Sequence, residues 1–276
     1  MGYKVAARNA TQSVSSLPSH QTLRQSCTEI ARAAAREIMR IYAGDLGVRD
    51  KADKSPVTDA DHAAEAIIVA GLRALTPGMP VVAEEEMAAG RVPTIGDGPF
   101  WLVDPLDGTK EFIKRNGEFT VNIALIEKAR PTLGIVLAPA IDTLWRGASG
   151  LGADMSQDGG DFVAIATRPP PSDGLTCCAS RSHTVYRDLD IWFEREGLTV
   201  TERVQTGSSL KFCLIAEGKA DIYPRFGPTN EWDTAAGQGV LEAAGGEVVT
   251  IDGRPLTYGK PSFSNPHFIA RSKALG

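Results

Sequence analysis

The sequence is poor in cysteine, in positive charge and in long apolar stretches, and each shortage excludes a class of protein. Its four cysteines (Cys27, Cys177, Cys178 and Cys213) form no Cys-x-x-Cys pair, so we expect reduced, buried thiols rather than a disulfide framework or a zinc site. Lysine and arginine total 29 against 34 acidic residues, and this net charge of −5 argues against binding to long nucleic acid. No apolar run approaches the roughly 20 residues that cross a bilayer.

What the chain does contain is typical of a globular protein. Its 276 residues are 42% hydrophobic and 23% charged, which allows a substantial buried core. Residues 1–19 are polar and lack the apolar segment of a secretory signal, so we expect a flexible N-terminal tail, with a transit peptide as the alternative. The remainder is predicted to divide into an N-terminal α+β half, residues 20–155, and a C-terminal α/β half, residues 156–276.

Hydrophobic periodicity predicts two helices followed by a run of strands in the first half. The helices are expected at 21–42 and 59–74, where apolar residues recur at helical spacing. Short β-branched stretches predict strands at 79–83, 100–103, 119–127 and 133–138, with another around Trp145. The glycine-rich stretch 151–160 is predicted to be an irregular crossing between the halves.

The second half alternates between the two patterns. Strands are predicted at 175–179, 198–204, 221–224 and 247–251, and helices at 186–196, 210–217 and 232–244. This alternation is typical of layered α/β folds.

Paired carboxylates stand where one of the predicted strands ends. Asp104 closes an apolar strand, Pro105 fixes φ, and Asp107 follows three residues after Asp104. A turn at Pro105 is predicted to aim both carboxylates at one point. Gly108 permits close backbone approach, and the helical turn that begins at Thr109 presents N–H groups suited to a phosphate.

Other acids lie at comparable strand ends and helix starts. Glu84 to Glu86 follow a strand, Asp59 and Asp61 open the second helix, and Asp233 opens a later one. Carboxylates gathered at one point repel by about 4 kcal/mol per pair at 4 Å and an effective dielectric of 20, and a hard cation removes that penalty. An all-oxygen ligand set favours Mg²⁺. Taken singly, each feature has a plainer reading as a turn, a solvated edge or a helix cap.

Three motifs together resemble the signatures of the inositol monophosphatase superfamily, whose members are magnesium-dependent, lithium-sensitive phosphatases. The motifs are Glu84-Glu85, Asp104 to Thr109, and Trp232 to Gly237. The resemblance implies an α/β (α+β layered) fold, the αβαβα sandwich shared with fructose-bisphosphatases. The stretches 107–119, 180–183, 207–213 and 223–230 are similar to the CysQ-type 3′(2′),5′-bisphosphate nucleotidases within that superfamily.

The resemblance implies a role for each matching residue. Metal ligands are expected in the carboxylates of Glu84, Asp104, Asp107 and Asp233 and in the carbonyl of Leu106. Asp59 and Thr109 are the expected catalytic residues, orienting the attacking water. Substrate contacts are expected from Gly108, Thr109, Lys110, His183, Ser208, Lys211 and Arg225. The alternative for His183 is a surface loop histidine, and the alternative for Lys211 and Arg225 is a solvated charge.

The activity implied is hydrolysis of the 3′-phosphate of adenosine 3′,5′-bisphosphate to AMP, with 3′-phosphoadenylylsulfate as a second substrate, in sulfate assimilation. Two or three Mg²⁺ ions per site are expected, in a cytoplasmic monomer or homodimer. Loose association with the inner membrane is an alternative location. Alternative functions are an inositol monophosphatase or fructose-1,6-bisphosphatase on the same metal core, and a non-catalytic interaction protein that keeps the fold.

Overall fold

Five alternating layers of helix and sheet make up the computed structural model, which describes residues 17–52, 54–181 and 186–276. The order of the layers is helix pair, seven-stranded sheet, helix pair, five-stranded sheet and single helix. The αβαβα sandwich implied by the motifs is therefore confirmed.

The first sheet runs in simple sequence order and is antiparallel except for its first pair of strands. Its strands are β3 (Val81–Ala83), β4 (Phe100–Asp107), β5 (Thr120–Glu127), β6 (Arg130–Ala138), β7 (Thr143–Ala148), β8 (Gly152–Gln157) and β9 (Val163–Ile165). A small hairpin, β1 (Arg49–Asp50) and β2 (Pro56–Val57), precedes them.

The prediction of an irregular crossing at 151–160 is wrong, because β8 occupies most of that stretch. Gly150 and Gly152 have φ values of +78° and +73° and form the tight turn that returns the chain from β7 into β8. The glycines therefore mark a hairpin. The division predicted after residue 155 falls inside β8, and the chain leaves this sheet only after β9.

Two long helices cover one face of the first sheet. Helix α1 (His20–Tyr42) begins after the capping residue Ser19, and α2 (Asp59–Leu75) begins with a capping box between Thr58 and Asp61. The helices predicted at 21–42 and 59–74 are thus confirmed. Their apolar faces bury Leu23, Ile38, Ile68 and Leu72 against Trp101, Val103 and Ile123 of the sheet.

The second sheet has the strand order β11-β10-β12-β14-β13. Its members are β10 (Leu175–Ser180), β11 (Val200–Thr206), β12 (Ile222–Arg225), β13 (Gly246–Thr250) and β14 (Phe268–Ser272). Helix α5 (Tyr186–Glu196) covers its outer face through Leu189, Trp192 and Phe193. All these elements except β14 were predicted.

Helices α6 (Leu210–Ala216) and α7 (Trp232–Ala243) fill the layer between the sheets. Helix α7 lies directly on β6, because a Cβ placed at Gly134 would collide with the carbonyl oxygen of Ala236. This close approach fixes the position of α7 relative to β6. Two further short helices, α3 (Glu84–Ala88) and α4 (Thr109–Ile113), follow β3 and β4.

The described residues contain buried thiols and no candidate membrane helix. All four cysteines are buried and carry free thiols, as predicted. Among the helices of residues 17–52, 54–181 and 186–276, none combines the length and apolar character that a membrane span requires.

Candidate active site

A bulge at the end of β4 brings two carboxylates to the same side of the first sheet. Asp104 pairs with Asn122 of β5 and Asp107 pairs with Thr120, so two residues of β4 oppose the single Val121. In a regular strand, positions three apart face opposite sides, and one extra residue reverses this parity. The predicted convergence of Asp104 and Asp107 is therefore achieved by a bulge rather than by a turn.

Gly108 and Thr109 continue from this bulge into α4. Gly108 has φ +96°, and a Cβ there would lie 2.9 Å from the carbonyl oxygen of Glu118, so only glycine fits. The hydroxyl of Thr109 lies 3.1 Å from Oδ1 of Asp61 and 3.4 Å from the carbonyl oxygen of Leu106. The shorter distance identifies Asp61 as the main acceptor for the Thr109 proton.

Asp61 is buried and held from two directions. Its Oδ2 accepts hydrogen bonds from the Thr58 backbone N–H at 2.8 Å and from the Thr58 hydroxyl at 2.7 Å. Burial raises the pKa of the Asp61 carboxyl, and the nearby charge of Glu84 raises it further, while the hydrogen bonds act in the opposite direction. The carboxylate is therefore fixed in place with Oδ1 directed at Thr109.

Asp59, which the motif comparison assigned to this position, is not brought into the site. Its side chain is 54% exposed and pairs with Arg49 at 2.7 Å on the outside of α2. Asp59 and Asp61 are two residues apart on a helix, so their side chains point about 200° away from each other. The structure corrects the sequence assignment in favour of Asp61.

Glu84 opens α3 at the carboxyl end of β3 and is bound to a lysine. The Nζ of Lys51, from the β1–β2 hairpin, lies 2.7 Å from Oε1 of Glu84 and 2.5 Å from Oε1 of the buried Glu85. Burial raises the pKa of Glu85 to about 7, and Lys51 lowers it. Sequence reasoning missed Lys51, because no motif links this hairpin to the glutamates.

Asp233 completes the acidic group from the first turn of α7. The Asn230 backbone N–H donates to its Oδ2 at 2.8 Å. Burial raises the pKa of Asp233 well above its ordinary range, and the charges of Asp107 and Glu84 raise it further. Burial likewise raises the pKa of Asp104, helped by Glu84 and Asp107. Burial raises the pKa of Asp107 to about 6, although Lys211 opposes the shift. The four acids therefore share one electrostatic environment.

The chemistry of this acidic group fits a divalent cation, although its present arrangement is not that of a chelate. Within residues 17–52, 54–181 and 186–276, no three His, Cys, Asp or Glu side chains are arranged to hold a metal ion. Lys51 engages Glu84, and backbone N–H groups engage Asp104 and Asp233. Asp104 is buried and Glu84, Asp107 and Asp233 are half-buried. Crowded carboxylates with no nitrogen or sulfur among them suit Mg²⁺ rather than Zn²⁺.

Two cations line the same cleft as the acidic group. Lys211 is only 4% exposed and Arg225 is 9% exposed, so neither is the solvated charge that the sequence left open. The Nζ of Lys211 donates to the carbonyl oxygens of Ser208 at 2.5 Å and Thr206 at 3.2 Å. Burial lowers the pKa of Lys211 to about 8, and Asp107 opposes the shift.

Arg225 and Ser208 keep unused hydrogen-bonding capacity beside this cleft. The Arg225 NH2 group donates to the Pro228 carbonyl oxygen at 2.9 Å, whereas its Nε has no partner in the described part of the chain. The Ser208 hydroxyl is likewise unpartnered there, and the residue has φ +46°. Buried polar groups normally have partners, so these atoms are suited to meet a polar ligand.

The cleft measures about 280 Å³ and collects most of the predicted residues. Its lining includes Glu84, Asp107, Gly108, Thr109, Lys110, Ser208, Lys211, Arg225 and Asp233, together with Ser180, which the site prediction did not include. Asp104 and Leu106 lie buried behind this wall. His183 lies outside the described residues.

Comparison with known proteins finds relatives that match most of this chain. The 3′(2′),5′-bisphosphate nucleotidase CysQ of Escherichia coli (strain K12) is 47% identical over 243 residues, covering 87% of this chain and 96% of the relative. The crystal structure of CysQ from Bacteroides thetaiotaomicron has a TM-score of 0.77 at 38% identity, covering 92% of this chain and 98% of the other.

More distant members of the same group share the fold. An inositol monophosphatase structure from Zymomonas mobilis has a TM-score of 0.74 at 26% identity and covers 92% of this chain and 94% of its own. The model of the inositol monophosphatase family matches residues 19–274, nearly the whole chain. The chain therefore belongs to the inositol monophosphatase family.

Proposed function

We propose that this chain is a magnesium-dependent 3′(2′),5′-bisphosphate nucleotidase that converts adenosine 3′,5′-bisphosphate to AMP and inorganic phosphate. The observation that carries the proposal is the charge layout of the cleft. Acids that suit a divalent cation line this cleft together with the buried Lys211 and Arg225. A substrate with a scissile phosphate and a second phosphate matches both kinds of group.

The acidic side would hold the metal. Glu84, Asp104, Asp107 and Asp233 would contribute carboxylates, and Leu106 would contribute its carbonyl oxygen. Bound Mg²⁺ would neutralise the phosphate charge and acidify a water molecule. Support for this arrangement comes from the crowding of Asp104, Asp107 and Asp233, whose pKa values are raised by burial and by the charges of neighbouring acids.

Thr109 and Asp61 would orient the attacking water. Because the Thr109 hydroxyl donates its proton to Asp61, its oxygen is free to accept a hydrogen bond from water. The water oxygen forms a bond to phosphorus and gives up one proton, and the bond from phosphorus to the 3′ oxygen breaks. A proton from solvent, replaced by the one that the water gives up, neutralises the departing 3′ oxygen, so the products are AMP and inorganic phosphate. The backbone N–H groups of Gly108 and Thr109 would bind the phosphate oxygens, because they lie at the N-terminal end of α4 and line the cleft.

Lys211 and Arg225 would bind the second phosphate. Arginine binds phosphate with two parallel N–H groups, and the unpartnered Nε of Arg225 leaves one of them available. The unpartnered Ser208 hydroxyl would add a further donor. Lys110, at the rim of the same cleft, and His183 stay predictions for contacts with the nucleotide.

This activity would clear a by-product of sulfate assimilation, and the same charge layout accepts 3′-phosphoadenylylsulfate as a second substrate. We propose a cytoplasmic location for it. The association with the inner membrane considered from the sequence receives no support.

The test is phosphate release from four substrates by the purified protein. Adenosine 3′,5′-bisphosphate, 3′-phosphoadenylylsulfate, inositol 1-phosphate and fructose 1,6-bisphosphate are compared at equal concentration with Mg²⁺ and again with EDTA. We expect the two nucleotides to be preferred and EDTA to abolish release. Efficient hydrolysis of inositol phosphate without hydrolysis of the bisphosphonucleotide would instead support the inositol phosphatase alternative.

A variant separates catalysis from a purely binding role. Asp107→Asn removes one acid from the cluster at nearly constant volume and is expected to abolish phosphate release. The matched control is Asp142→Asn, which removes a carboxylate from the turn between β6 and β7 and is expected to retain full activity. A biological role that survives Asp107→Asn unchanged would favour the non-catalytic alternative.

A further inference from the structure

Glu118 joins the two halves of the molecule at the edge of the cleft, and the proposed mechanism gives it no role. It lies in the loop between α4 and β5, next to the buried Phe119. Phe119 packs edge-on against Phe112 at a ring-centre distance of 4.9 Å, and it also contacts Tyr42. The backbone of Glu118 is therefore anchored to the core of the first half.

The carbonyl oxygen of Glu118 lies against two loops. One contains Gly108 and is called here the scissile-phosphate loop, and the other contains Gly207 and Ser208 and is called the second-phosphate loop. A Cβ at Gly108, beside the scissile phosphate, would lie 2.9 Å from this oxygen. A Cβ at Gly207, just before Ser208, would lie 2.8 Å from the same oxygen. Glycine at both positions therefore lets two loops from different halves close onto one backbone atom.

The side chain of Glu118 binds the second half directly. Its Oε2 accepts the Gly207 backbone N–H at 2.8 Å and the Nε of Arg181 at 3.0 Å, and its Oε1 accepts the Arg181 NH2 group at 2.6 Å. The same NH2 group donates to the Gln205 carbonyl oxygen at 3.0 Å. The carboxylate thus holds the end of β11 and the start of the Ser208 loop through charge-assisted bonds.

We propose that Glu118 is a positioning residue that sets the separation between the scissile-phosphate loop and the second-phosphate loop, and so selects substrates carrying two phosphates. This inference rests on the proposed function and adds to it a determinant of specificity. Glu118 acts through Gly207 on Ser208 and Lys211, whose Nζ is bound to the Ser208 carbonyl oxygen.

Truncation of the side chain should affect the two loops unequally. Glu118→Ala keeps the carbonyl oxygen that contacts Gly108, so the scissile-phosphate loop keeps its support. It removes the acceptor for the Gly207 N–H and the partner of Arg181, so the second-phosphate loop is loosened. Glu118→Gln keeps an acceptor for Gly207 and loses the charge, so it should lie between wild type and Glu118→Ala.

The experiment compares steady-state kinetics on adenosine 3′,5′-bisphosphate and on 3′-AMP, which carries only the scissile phosphate. For Glu118→Ala we expect KM for the bisphosphate to rise about tenfold with kcat changed by less than about twofold. The value of kcat/KM for 3′-AMP should change by less than about twofold. Glu118→Gln should recover most of the loss in KM.

Binding of AMP, which retains the 5′-phosphate, is measured by calorimetry without metal and does not depend on turnover. We expect Glu118→Ala to weaken it about tenfold. The control is Glu37→Gln, which removes an equal charge from another Arg-paired glutamate on α1 and should leave both measurements unchanged.

Two results would overturn the proposal. One is an equal loss of kcat/KM on both substrates by Glu118→Ala, which would indicate general disruption of the cleft. The other is unchanged AMP binding. If the wild type does not hydrolyse the bisphosphate at all, the proposed function fails, and the AMP titration still decides whether Glu118 positions the second-phosphate loop.

Discussion

Lys51 is the counter-ion of Glu84 and Glu85, and removal of its charge should lower the stability of the metal-free protein. Its Nζ lies within 2.7 Å of both Glu84 and Glu85, and its side chain is 11% exposed. Lys51→Met keeps the apolar stem and removes the charge. We expect the metal-free variant to be less stable than wild type and Mg²⁺ to restore most of the difference.

The expected loss of stability in Lys51→Met follows from the burial of the ion pairs that it breaks. Removing one partner of a buried ion pair costs about 3–5 kcal/mol, because the other charge is left uncompensated. The Glu85 side chain is 3% exposed, but Glu84 is 27% exposed and keeps some solvent, so we expect about 3 kcal/mol. For a chain of this size each kcal/mol shifts the melting temperature by about 2–4 °C, so the variant should melt about 6–12 °C lower.

The assay is thermal unfolding at pH 8 in EDTA and in 10 mM Mg²⁺ (about the concentration needed to saturate a weak site). The pH matters because the pKa of Glu85 is already about 7 in the presence of Lys51. Without the lysine, the carboxyl groups take up protons more readily near pH 6, which would hide part of the loss. At pH 8 a larger share of these carboxyl groups is charged than at pH 6, so less of the loss is hidden.

Lys54→Met is the control, because Lys54 is an exposed lysine of the same hairpin. It should melt like the wild type under both conditions. A metal-free Lys51→Met that melts with the wild type would refute the view that the acids need a counter-charge. An equal Mg²⁺-induced shift in variant and wild type would refute the view that lysine and metal neutralise the same carboxylates.

Three further predictions concern the hydrogen-bonded pair Thr109 and Asp61, the cation Lys211, and the contact between β6 and α7. Asp61→Asn should lower kcat about a hundredfold in a phosphate-release assay, while Asp59→Asn should not change it. The single amide oxygen of asparagine is taken by the two Thr58 donors, so its NH2 group faces Thr109 and the hydroxyl that orients water loses its acceptor. The pKa of Lys211 is about 8, so its charge is present below pH 8 and lost above it, and KM for the bisphosphate should rise between pH 7.5 and 9.5. Gly134→Ala should lower the free energy of unfolding in urea by about 3 kcal/mol by pushing α7 off β6, while Gly98→Ala, with open space around it, should be neutral.

The sequence predicted those elements whose own residues carry a periodic pattern. Helix α1 was predicted to within one residue at its start, because its apolar positions recur at helical spacing. Strand β14 was missed, since it is held by antiparallel pairing to both β12 and β13 rather than by a local pattern. Strand β8 was misread, because glycine marks tight turns and irregular crossings alike.

Sequence reasoning located site residues that follow strand ends. It did not locate residues whose position depends on the rotation of a helix about its axis or on contacts between distant segments. Asp104, Asp107 and Asp233 lie close enough together that the last two raise the pKa of Asp104. The choice between Asp59 and Asp61 depends on how far α2 is rotated about its axis, and a pair of acids at a helix start does not reveal this. The contacts of Lys51 and Glu118 join segments distant along the chain, so no local spacing could indicate them.

Because of the bulge in β4, the number of residues between Asp104 and Asp107 matters more than their identity. Leu106 packs with the α1–α2 side of the first sheet, which leaves Asp107 on the side of the cleft. Deleting one residue between the two aspartates would restore a regular pleat and turn the second carboxylate toward the apolar core of α1 and α2. Evolution can therefore exchange the intervening side chains far more easily than it can change their number.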